Sequence, residues 1–279
     1  MNSNDYYFQK YQTSKIKYIN LKQLGKGLKP PIKVMSWNVC WEALDGVKSR
    51  KLDRSSCIID DKNICAVNIK KIIQQKLDEL YDFICLQEIR RSQWNKLDIK
   101  TPAHTVIFND IKRAGIITII RNDYYIENKL RGNLIDLSID IRPYTILTLT
   151  NNMILINVHF PHWNKYQIAS INTIKSQLEK KTNKTNSDTK IIMCGDFNNN
   201  DPTLLPNFKL MLPYPFEFNK IKKQINTCCI KNKHKSFKLS YDHIYSNLKN
   251  IKYETLNDDN LDLGLYNLSD HLPLFTEFI

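Results

Sequence analysis

The stretch Gly195-Asp196-Phe197-Asn198 follows the apolar run IIMC and ends it with short polar side chains. Four other blocks, spread about evenly along the chain, end in the same way: Met35-Ser36-Trp37-Asn38, Leu86-Gln87-Glu88, Asn157-Val158-His159 and Ser269-Asp270-His271. An apolar run that stops at short polar residues is typical of a buried strand reaching the rim of a sheet. Five such ends on one rim would aim carboxylates, amides and imidazoles into one crevice, an inventory that suits a hard divalent cation and a phosphate ester.

The sequence between these blocks predicts an α/β fold. Apolar residues recur at helical spacing over Ile64 to Leu80, and the buried strand FICLQ follows after Asp82, which is the signature of a β–α–β unit. A second helix is predicted over Lys165 to Lys180. The predicted strands, with a tight turn at Asn151-Asn152, are Ile32–Trp37, Thr105–Phe108, Gly115–Ile120, Leu134–Ile139, Tyr144–Thr150, Met153–Val158, Lys190–Gly195, Leu239–Tyr245 and Leu272–Phe278.

Length and composition indicate one large domain with a sizeable core. The chain has 279 residues, of which 42% are hydrophobic and 25% charged. Residues 1–31 are polar and basic, and we interpret them as an N-terminal arm before a domain at 32–279. The formal net charge of +13 favours a polyanionic partner such as nucleic acid or an anionic membrane surface. The alternative is a lysine-rich surface that serves only solubility.

The seven cysteines come without an apolar leader at the N-terminus and without a run of membrane-spanning length. We therefore expect reduced thiols in an intracellular protein, either cytoplasmic or nuclear, and a monomer. A zinc site is disfavoured because the spacings of the candidate ligands fit no standard zinc motif. Those candidates are Cys57, Cys65, Cys228, Cys229 and His234.

In this order, the five blocks resemble the endonuclease/exonuclease/phosphatase superfamily, which shares the deoxyribonuclease I fold. The resemblance runs from about Val34 to the C-terminus, and Gly-Asp-Phe-Asn and Ser-Asp-His-Leu-Pro are its most specific parts. It implies a four-layer α/β sandwich, in which two packed mixed β-sheets are flanked by helices. It also implies a metal-dependent phosphodiesterase or phosphatase.

A divalent cation is expected beside Glu88. A carboxylate at the end of a buried strand is costly unless something compensates its charge, and a bound cation does so economically. The resemblance makes Glu88 the principal metal ligand and places Asn38 and Asp270 near the same ion. Mg²⁺ is the expected cofactor, with Mn²⁺ as the alternative. An Asn at a strand end is also a common turn residue, so Asn38 has a second interpretation.

The resemblance assigns the remaining polar groups to the chemical step. It implies that Asp196 aligns or deprotonates the attacking water and that Asn198 steadies the water or the transition state, although an Asx turn would use the same residues. His159 and His271 are implied as the two catalytic imidazoles. Asp242 then fixes the tautomer of His271, which is a general way to orient a base.

Two positions separate this chain from apurinic-site nucleases, which carry Asp where it has Cys40 and commonly Tyr where it has His159. It thus resembles the branch with His, which includes deoxyribonuclease I, sphingomyelinases, inositol-polyphosphate phosphatases and deadenylases. His243 follows Asp242 and should point to the other face of its strand.

Substrate contacts are expected in two places. His162, Trp163 and Asn164 follow His159 directly and either contact substrate or form a solvated loop. Residues 220–238 contain seven lysines and no acid, and they precede the Asp242 strand. We interpret this lysine stretch as a clamp for a phosphate backbone, with Lys231, Lys233 and Lys235 as its candidate contacts.

These observations predict a Mg²⁺-dependent phosphoester hydrolase, with a nuclease as the favoured form because of the charge. The alternative enzyme is a phosphatase or phosphodiesterase for inositol phosphates or lipid headgroups. A catalytically dead binding module is the third interpretation, and the complete set of polar residues argues against it.

Overall fold

The computed structural model describes nine segments of the chain: residues 30–47, 57–111, 114–134, 141–162, 164–181, 189–199, 228, 239–255 and 269–279. The predicted N-terminal arm (1–31) and the lysine stretch (220–238) lie almost wholly outside the described residues.

The described helices and strands alternate along the chain, as an α/β fold requires. In chain order they are β1 (Ile32–Asn38), α1 (Trp41–Asp45), β2 (Ile58–Ile59), β3 (Lys62–Asn63), α2 (Ile64–Asp78), β4 (Phe83–Gln87), α3 (Arg91–Leu97), β5 (His104–Ile111), β6 (Ala114–Arg121), β7 (Ile126–Leu134), β8 (Arg142–Leu149), β9 (Met153–His159), α4 (Asn164–Lys181), β10 (Lys190–Asp196), β11 (Asp242–Ser246), β12 (Asn250–Thr255) and β13 (Leu274–Phe278).

Eleven of these strands form two mixed sheets. The first sheet has the order β12-β13-β1-β4-β6-β5 and the second has the order β11-β10-β9-β8-β7, while β2 and β3 pair with each other. Each large sheet contains one parallel pair, β1 with β4 and β9 with β10, and the other pairs are antiparallel. A helix lies between the two strands of each parallel pair, α2 in the first sheet and α4 in the second, because parallel strands need a long crossover.

Alternation along the strands sorts the core into separate layers. In β1, Val34 faces an apolar cluster between the sheets, whereas Met35 and Trp37 face a cluster that contains Ile69 and Ile72 of α2. The second sheet is arranged in the same way: one face lines the cluster between the sheets, and the other face packs against α4. The result is a helix–sheet–sheet–helix arrangement, so the predicted four-layer α/β sandwich is confirmed.

The predicted elements lie close to the observed ones, and the missed strands are edge strands. The Asn151-Asn152 turn connects β8 to β9, and both residues have positive φ, 64° and 54°. Four strands escaped prediction: the two-residue strands β2 and β3, β12, and most of β7. The predicted Leu134–Ile139 strand overlaps β7 only at Leu134, and its other residues lie outside the described structure. Each of the four missed strands lies at the edge of its sheet, and β7 is largely exposed, so apolar periodicity gives no signal there.

The expectation of reduced thiols is wrong for three of the described cysteines, because Cys57, Cys65 and Cys228 are disulfide-bonded. Cys57 and Cys65 form a disulfide between the residue before β2 and the first turn of α2. Their separation of only eight residues gave no signal, because sequence spacing does not fix how close two Cβ atoms lie. The disulfide also removes these two sulfurs from any zinc site. Among the described residues, no helix combines the length and apolar character that crossing a bilayer requires.

Candidate active site

The inter-sheet layer changes from apolar to polar at one end. The positions of β1, β4, β9 and β10 that face the other sheet are apolar over most of their length and polar towards their C-terminal ends. These polar, buried residues are Ser36, Asn38, Gln87, Asn157, His159 and Asp196. Both parallel pairs therefore end at one polar rim, as the five sequence blocks predict.

A buried pair of amides joins the two sheets beneath this rim. Gln87 of the first sheet donates from Nε2 to Asn157 Oδ1 of the second at 2.9 Å. Asn157 Nδ2 donates back to the first sheet, to the Ile117 carbonyl at 3.0 Å and to Thr118 Oγ1 at 3.1 Å. Sequence reasoning quoted Gln87 and Asn157 within blocks but gave them no role. Their role is to hold the strand ends in register across the interface.

Asn38 and Asp196 form a second link between the sheets, at the rim itself. Asn38 Nδ2 donates to Asp196 Oδ2 at 2.9 Å, and Asn38 Oδ1 accepts the Cys40 amide at 3.0 Å. Asp196 Oδ1 accepts a hydrogen bond from the backbone N–H of Asn198 at 2.8 Å, which is the Asx turn considered as an alternative. Asn198 Nδ2 donates to the Phe160 carbonyl at 2.7 Å. The turn thus orients Asp196 towards the first sheet.

Three residues that follow the strand ends adopt the left-handed region without being glycine. They are Cys40 (φ 54°), Glu88 (φ 57°) and Asn198 (φ 49°), and each lies one or two residues past β1, β4 or β10. Such positions cost of order 1–3 kcal/mol each and concentrate at functional sites. Here they bend the chain so that consecutive side chains reach the same crevice.

Two glycines permit the close backbone contacts around these bends. A Cβ on Gly195 (φ 153°) would lie 1.9 Å from the Val158 carbonyl oxygen, so the Gly-Asp-Phe-Asn block requires glycine beside β9. A Cβ on Gly115 would lie 2.4 Å from the carbonyl oxygen of Ile89, the residue after Glu88. Both glycines therefore fix where the acidic strand ends lie.

His271 lies among carboxylates. Its Nδ1 is 2.7 Å from Asp242 Oδ2, and the imidazole is almost completely buried. Burial by itself opposes protonation, but the charges of Asp242, Asp270 and Asp196 outweigh it and raise the pKa of His271 to about 10. At neutral pH the ring is therefore a cation that donates from Nδ1 to Asp242, and its second N–H, on Nε2, lies 3.4 Å from Cys228 Sγ and 3.9 Å from Asp196 Oδ2.

Asp196 Oδ2 lies between the two imidazoles, 3.6 Å from His159 Nε2 and 3.9 Å from His271 Nε2. Burial raises the pKa of Asp196, the His271 cation counters this rise, and the neighbouring Asp242 carboxylate adds to it. Potential ligand atoms of Asp196, Asp242 and His271 all lie within 4.8 Å of one another. This cluster can accept, hold and return a proton.

Arg142 is a site residue that sequence reasoning missed. It begins β8, it is buried, and its Nη1 lies 2.8 Å from His159 Nε2 and 3.9 Å from Glu88 Oε1. In the sequence it stands beside Pro143 at the start of an apolar run, where nothing distinguishes it from a surface arginine. Only the β8–β9 hairpin brings it alongside His159.

The residues around Glu88 fit a divalent cation. Glu88 is only 7% exposed, yet the nitrogens of Arg142 and His159 near its carboxylate, at 3.9 and 3.7 Å, are beyond hydrogen-bond distance. Asn38 offers a second lone pair on Oδ1. Asp270 is buried and close enough to Cys40 and His271 to help raise the pKa of both. One or two carboxylates with additional oxygen donors are what Mg²⁺ prefers.

The other candidate residues have different placements. His243 lies on the opposite face of β11, where its ring stacks on Tyr245 and contacts Phe197, so the expected alternation is observed. Asn164 begins α4, and its side chain is outside the described structure, as are Lys231, Lys233 and Lys235. Cys228, the described residue of the lysine stretch, forms an isolated antiparallel β-bridge with the backbone of His271. Its Sγ lies 3.4 Å from His271 Nε2.

Solved structures share this fold. An endonuclease/exonuclease/phosphatase family protein from Bacteroides thetaiotaomicron superposes with a TM-score of 0.64 at 15% identity, covering 90% of this chain and 98% of that one. TDP2 of D. rerio, complexed with a single-strand DNA product, gives 0.62 at 15% identity over 90% and 100%. A mannosyl-6-phosphatase from B. thetaiotaomicron gives 0.62 at 14% identity over 89% and 99%.

These likenesses establish the fold of the endonuclease/exonuclease/phosphatase superfamily, which confirms the resemblance in fold that the five blocks indicate. No protein-family model matches the chain. An uncharacterized protein of Acanthamoeba polyphaga mimivirus, L684, is 26% identical in an alignment of 233 residues that covers 76% of this chain. The chain spans 43% of that relative's length, less than half of it.

Proposed function

We propose that this protein is a divalent-metal-dependent phosphoester hydrolase. The observation that carries the proposal is the convergence of Glu88, Asn38, Asp196 and the Asp242–His271 pair on one buried rim between two sheets. An assembly of buried charges is expensive to maintain for structure alone. It is the arrangement that an in-line attack on phosphorus needs, with anions for a cation and cations for the phosphate.

Asn38, Glu88 and Asp270 are the residues that would hold the cation. When bound there, a Mg²⁺ or Mn²⁺ ion supplies a Lewis acid for a phosphate oxygen and for water. The same three residues are the cation ligands that the resemblance implies.

Asp196 is the proposed acceptor for a proton of the attacking water. Asn38 and the Asn198 amide fix its two oxygens by hydrogen bonds of 2.9 and 2.8 Å, so its orientation is set before substrate binds. The raised pKa of Asp196 makes it a stronger base than an ordinary carboxylate. We propose that Asn198 acts mainly through this turn, by orienting Asp196.

His271 and Arg142 supply positive charge and donors for the phosphate, and His159 Nε2 accepts a hydrogen bond from Arg142 at 2.8 Å. The His271 imidazolium, oriented by Asp242, has a second N–H on Nε2 that can donate to a non-bridging oxygen or to the leaving group. The Arg142 guanidinium lies against His159, where it is placed to stabilise a developing negative charge. A covalent enzyme intermediate is unnecessary because water is the nucleophile.

Nucleic acid is the proposed substrate. The net charge is +13, and seven lysines fall within the lysine stretch, whose residue Cys228 contacts His271. That contact supports a position for the stretch beside the reacting phosphate. D. rerio TDP2, which shares the fold, has been crystallised with a single-strand DNA product. We further propose that residues 32–279 form the catalytic domain, with 1–31 as an appended arm.

A phosphatase acting on small phosphomonoesters is the second candidate. The mannosyl-6-phosphatase of B. thetaiotaomicron has the same fold with a similar TM-score, so the fold does not distinguish the two classes. Lysine-rich rims also suit inositol phosphates and lipid headgroups.

A substrate panel tests the proposal. Purified protein is incubated with single- and double-stranded DNA, abasic duplex, poly(A) RNA, phosphoinositides and mannose 6-phosphate, each with Mg²⁺, with Mn²⁺ and with EDTA. We expect hydrolysis of a nucleic acid that EDTA abolishes and that His271→Ala loses. Hydrolysis that persists in EDTA, or that is equal in the parent and His271→Ala, contradicts the proposal.

The role of the lysine stretch has its own test. Replacing Lys231, Lys233 and Lys235 together with Ala should raise KM for nucleic acid and flatten its salt dependence by up to about three phosphate contacts, with kcat little changed.

The matched control replaces three exposed lysines outside the stretch, Lys71, Lys96 and Lys100, with Ala. It removes the same charge but should leave the salt slope close to the parent's. Equal slopes for the two triple variants would show that only net charge matters, and would favour a small phosphorylated substrate.

A further inference from the structure

A second group of potential ligands lies beside the rim, and it contains sulfur. The Cys40 thiol donates to Glu42 Oε2 at 3.1 Å. The Cys40 sulfur and one carboxylate oxygen each of Glu42 and Glu88 lie within 4.8 Å of one another. This group joins the residue that bends the chain after β1, the first turn of α1 and the residue that follows β4. None of these residues except Glu88 has a part in the hydrolysis proposed above.

The burial of the Glu88 carboxylate is a second feature of this group. Glu88 is 7% exposed, and the approaching nitrogens, His159 Nε2 at 3.7 Å and Arg142 Nη1 at 3.9 Å, stop short of hydrogen-bond distance. A carboxylate buried to this degree normally has charged hydrogen bonds or a metal ion. A cation between Glu88 and Cys40 would add a direct bond to a carboxylate that Arg142 and His159 approach only at ion-pair distance.

The donor set has a definite preference. Sulfur ligands favour Zn²⁺ and other soft or borderline cations, whereas all-oxygen sets favour Mg²⁺. Ligand atoms about 2.0–2.3 Å from one Zn²⁺ lie roughly 3.3–3.8 Å apart in a tetrahedron, so small side-chain rotations would bring the three atoms here to that spacing. Three protein ligands would leave a fourth position for water, as in open zinc sites.

We propose that Cys40, Glu42 and Glu88 form a binding site for a thiophilic divalent cation such as Zn²⁺. On binding, the sulfur–metal bond replaces the S–H bond, and the proton passes to solvent. The site goes beyond the proposed hydrolysis and stands on its own contacts. Because Glu88 is common to both ligand sets, a thiophilic ion would compete with the hard cation there and inhibit the enzyme.

Cobalt titration tests the site without relying on activity. Co²⁺ bound to a thiolate gives a near-ultraviolet charge-transfer band, which Co²⁺ bound only to oxygen or nitrogen lacks. We expect this band in the reduced parent protein, its loss in Cys40→Ser and its retention in Cys194→Ser, which alters another buried free cysteine. Zn²⁺ should abolish the band by displacing Co²⁺, while Mg²⁺ at the same concentration should leave it unchanged. A parent without the band, or a Cys40→Ser variant that keeps it, overturns the proposal.

Glu42→Gln provides a second test that keeps the thiol. Glu42 is partly exposed, so this variant should fold even if Cys40→Ser does not. We expect the band to persist while the Kd for Co²⁺ rises at least about tenfold, because even outer-shell changes cost tenfold or more in metal affinity. An unchanged Kd counts against the site.

The two proposals fail separately. A Cys40-dependent band without hydrolysis of any substrate contradicts the hydrolase alone. Mg²⁺-dependent hydrolysis without the band contradicts the thiophilic site alone.

Discussion

The two sides of the rim differ in how far the protein itself completes their hydrogen bonding. On the side formed by β10, β11 and the chain before β13, Asp196 accepts two hydrogen bonds and Asp242 pairs with His271 at 2.7 Å. On the side formed by the ends of β1 and β4, the Glu88 carboxylate lies 3.7 and 3.9 Å from the nearby nitrogens of His159 and Arg142.

This difference teaches which groups act on their own and which depend on a cation. A hydrogen-bonded carboxylate is oriented before any ligand arrives, so the Asp196–Asp242–His271 side is suited to proton transfer. The Glu88 carboxylate has only ion-pair contacts longer than hydrogen bonds, so its oxygens can still bind a metal ion. Substitutions on the two sides should therefore fail in different ways.

The largest effect is expected at Glu88. Glu88→Gln keeps the shape of the side chain and removes its charge, so hydrolysis of the best substrate should fall roughly 10²-fold or more. Calorimetry should show weaker Mg²⁺ binding, while circular dichroism stays unchanged. If the variant hydrolyses substrate at the parent rate, Glu88 is not a ligand of the catalytic metal ion.

Asp242→Asn should impair proton transfer on the side of the rim that contains His271 without changing metal binding. The amide permits the wrong tautomer of His271, and kcat should fall up to about 10²-fold, within the range of general acid–base groups, with Mg²⁺ affinity near the parent's. The measurement is a double-mutant cycle with His271→Ala. The double variant should be little worse than His271→Ala alone, because the two residues act as a unit. Additive losses would show an independent role for Asp242.

Arg142→Lys tests the residue that joins the two sides. Lysine keeps the charge but loses the planar fork that lies against His159, so kcat/KM should fall about tenfold, equivalent to roughly 1.5 kcal/mol for a charged hydrogen bond. Steady-state kinetics of Arg142→Lys and Arg142→Ala decide this. Parent-like kinetics in both variants would leave Arg142 with a structural role only.

The smallest predicted effect is on stability as a function of pH. The pKa of His271 is raised from 6.5 to about 10 in the folded protein, so its protonation contributes stability that is complete below about pH 6.5 and is lost as pH rises through 10. Thermal unfolding between those values should show a declining Tm in the parent and a flatter profile in His271→Gln. If Tm falls equally with pH in the parent and in His271→Gln, a group other than His271 carries the pH-dependent charge.

Sequence patterns locate residues whose surroundings are local and give no signal for contacts that depend on a distant partner. Asp196 and Asn198 are recognisable because the turn that orients them lies within four residues of sequence. Arg142, by contrast, joins the site only because β9 places His159 beside it. The Cys57–Cys65 disulfide forms only because α2 packs against the β2–β3 hairpin. Neither contact leaves a periodic or compositional trace.

The alternation of buried strands and helices, and the polar residues at the ends of those strands, can be predicted from the sequence alone. Hydrophobic periodicity and short motifs are properties of neighbouring residues, so they can be read without coordinates. The tertiary structure decided which ends meet. The Gln87–Asn157 and Asn38–Asp196 bonds join residues 70 and 158 positions apart, across two sheets. It also decided that, among the described residues, the nitrogens nearest Glu88 stay at 3.7 and 3.9 Å while Asp242 has His271 at 2.7 Å, because burial and charge compensation depend on atoms that only packing brings together.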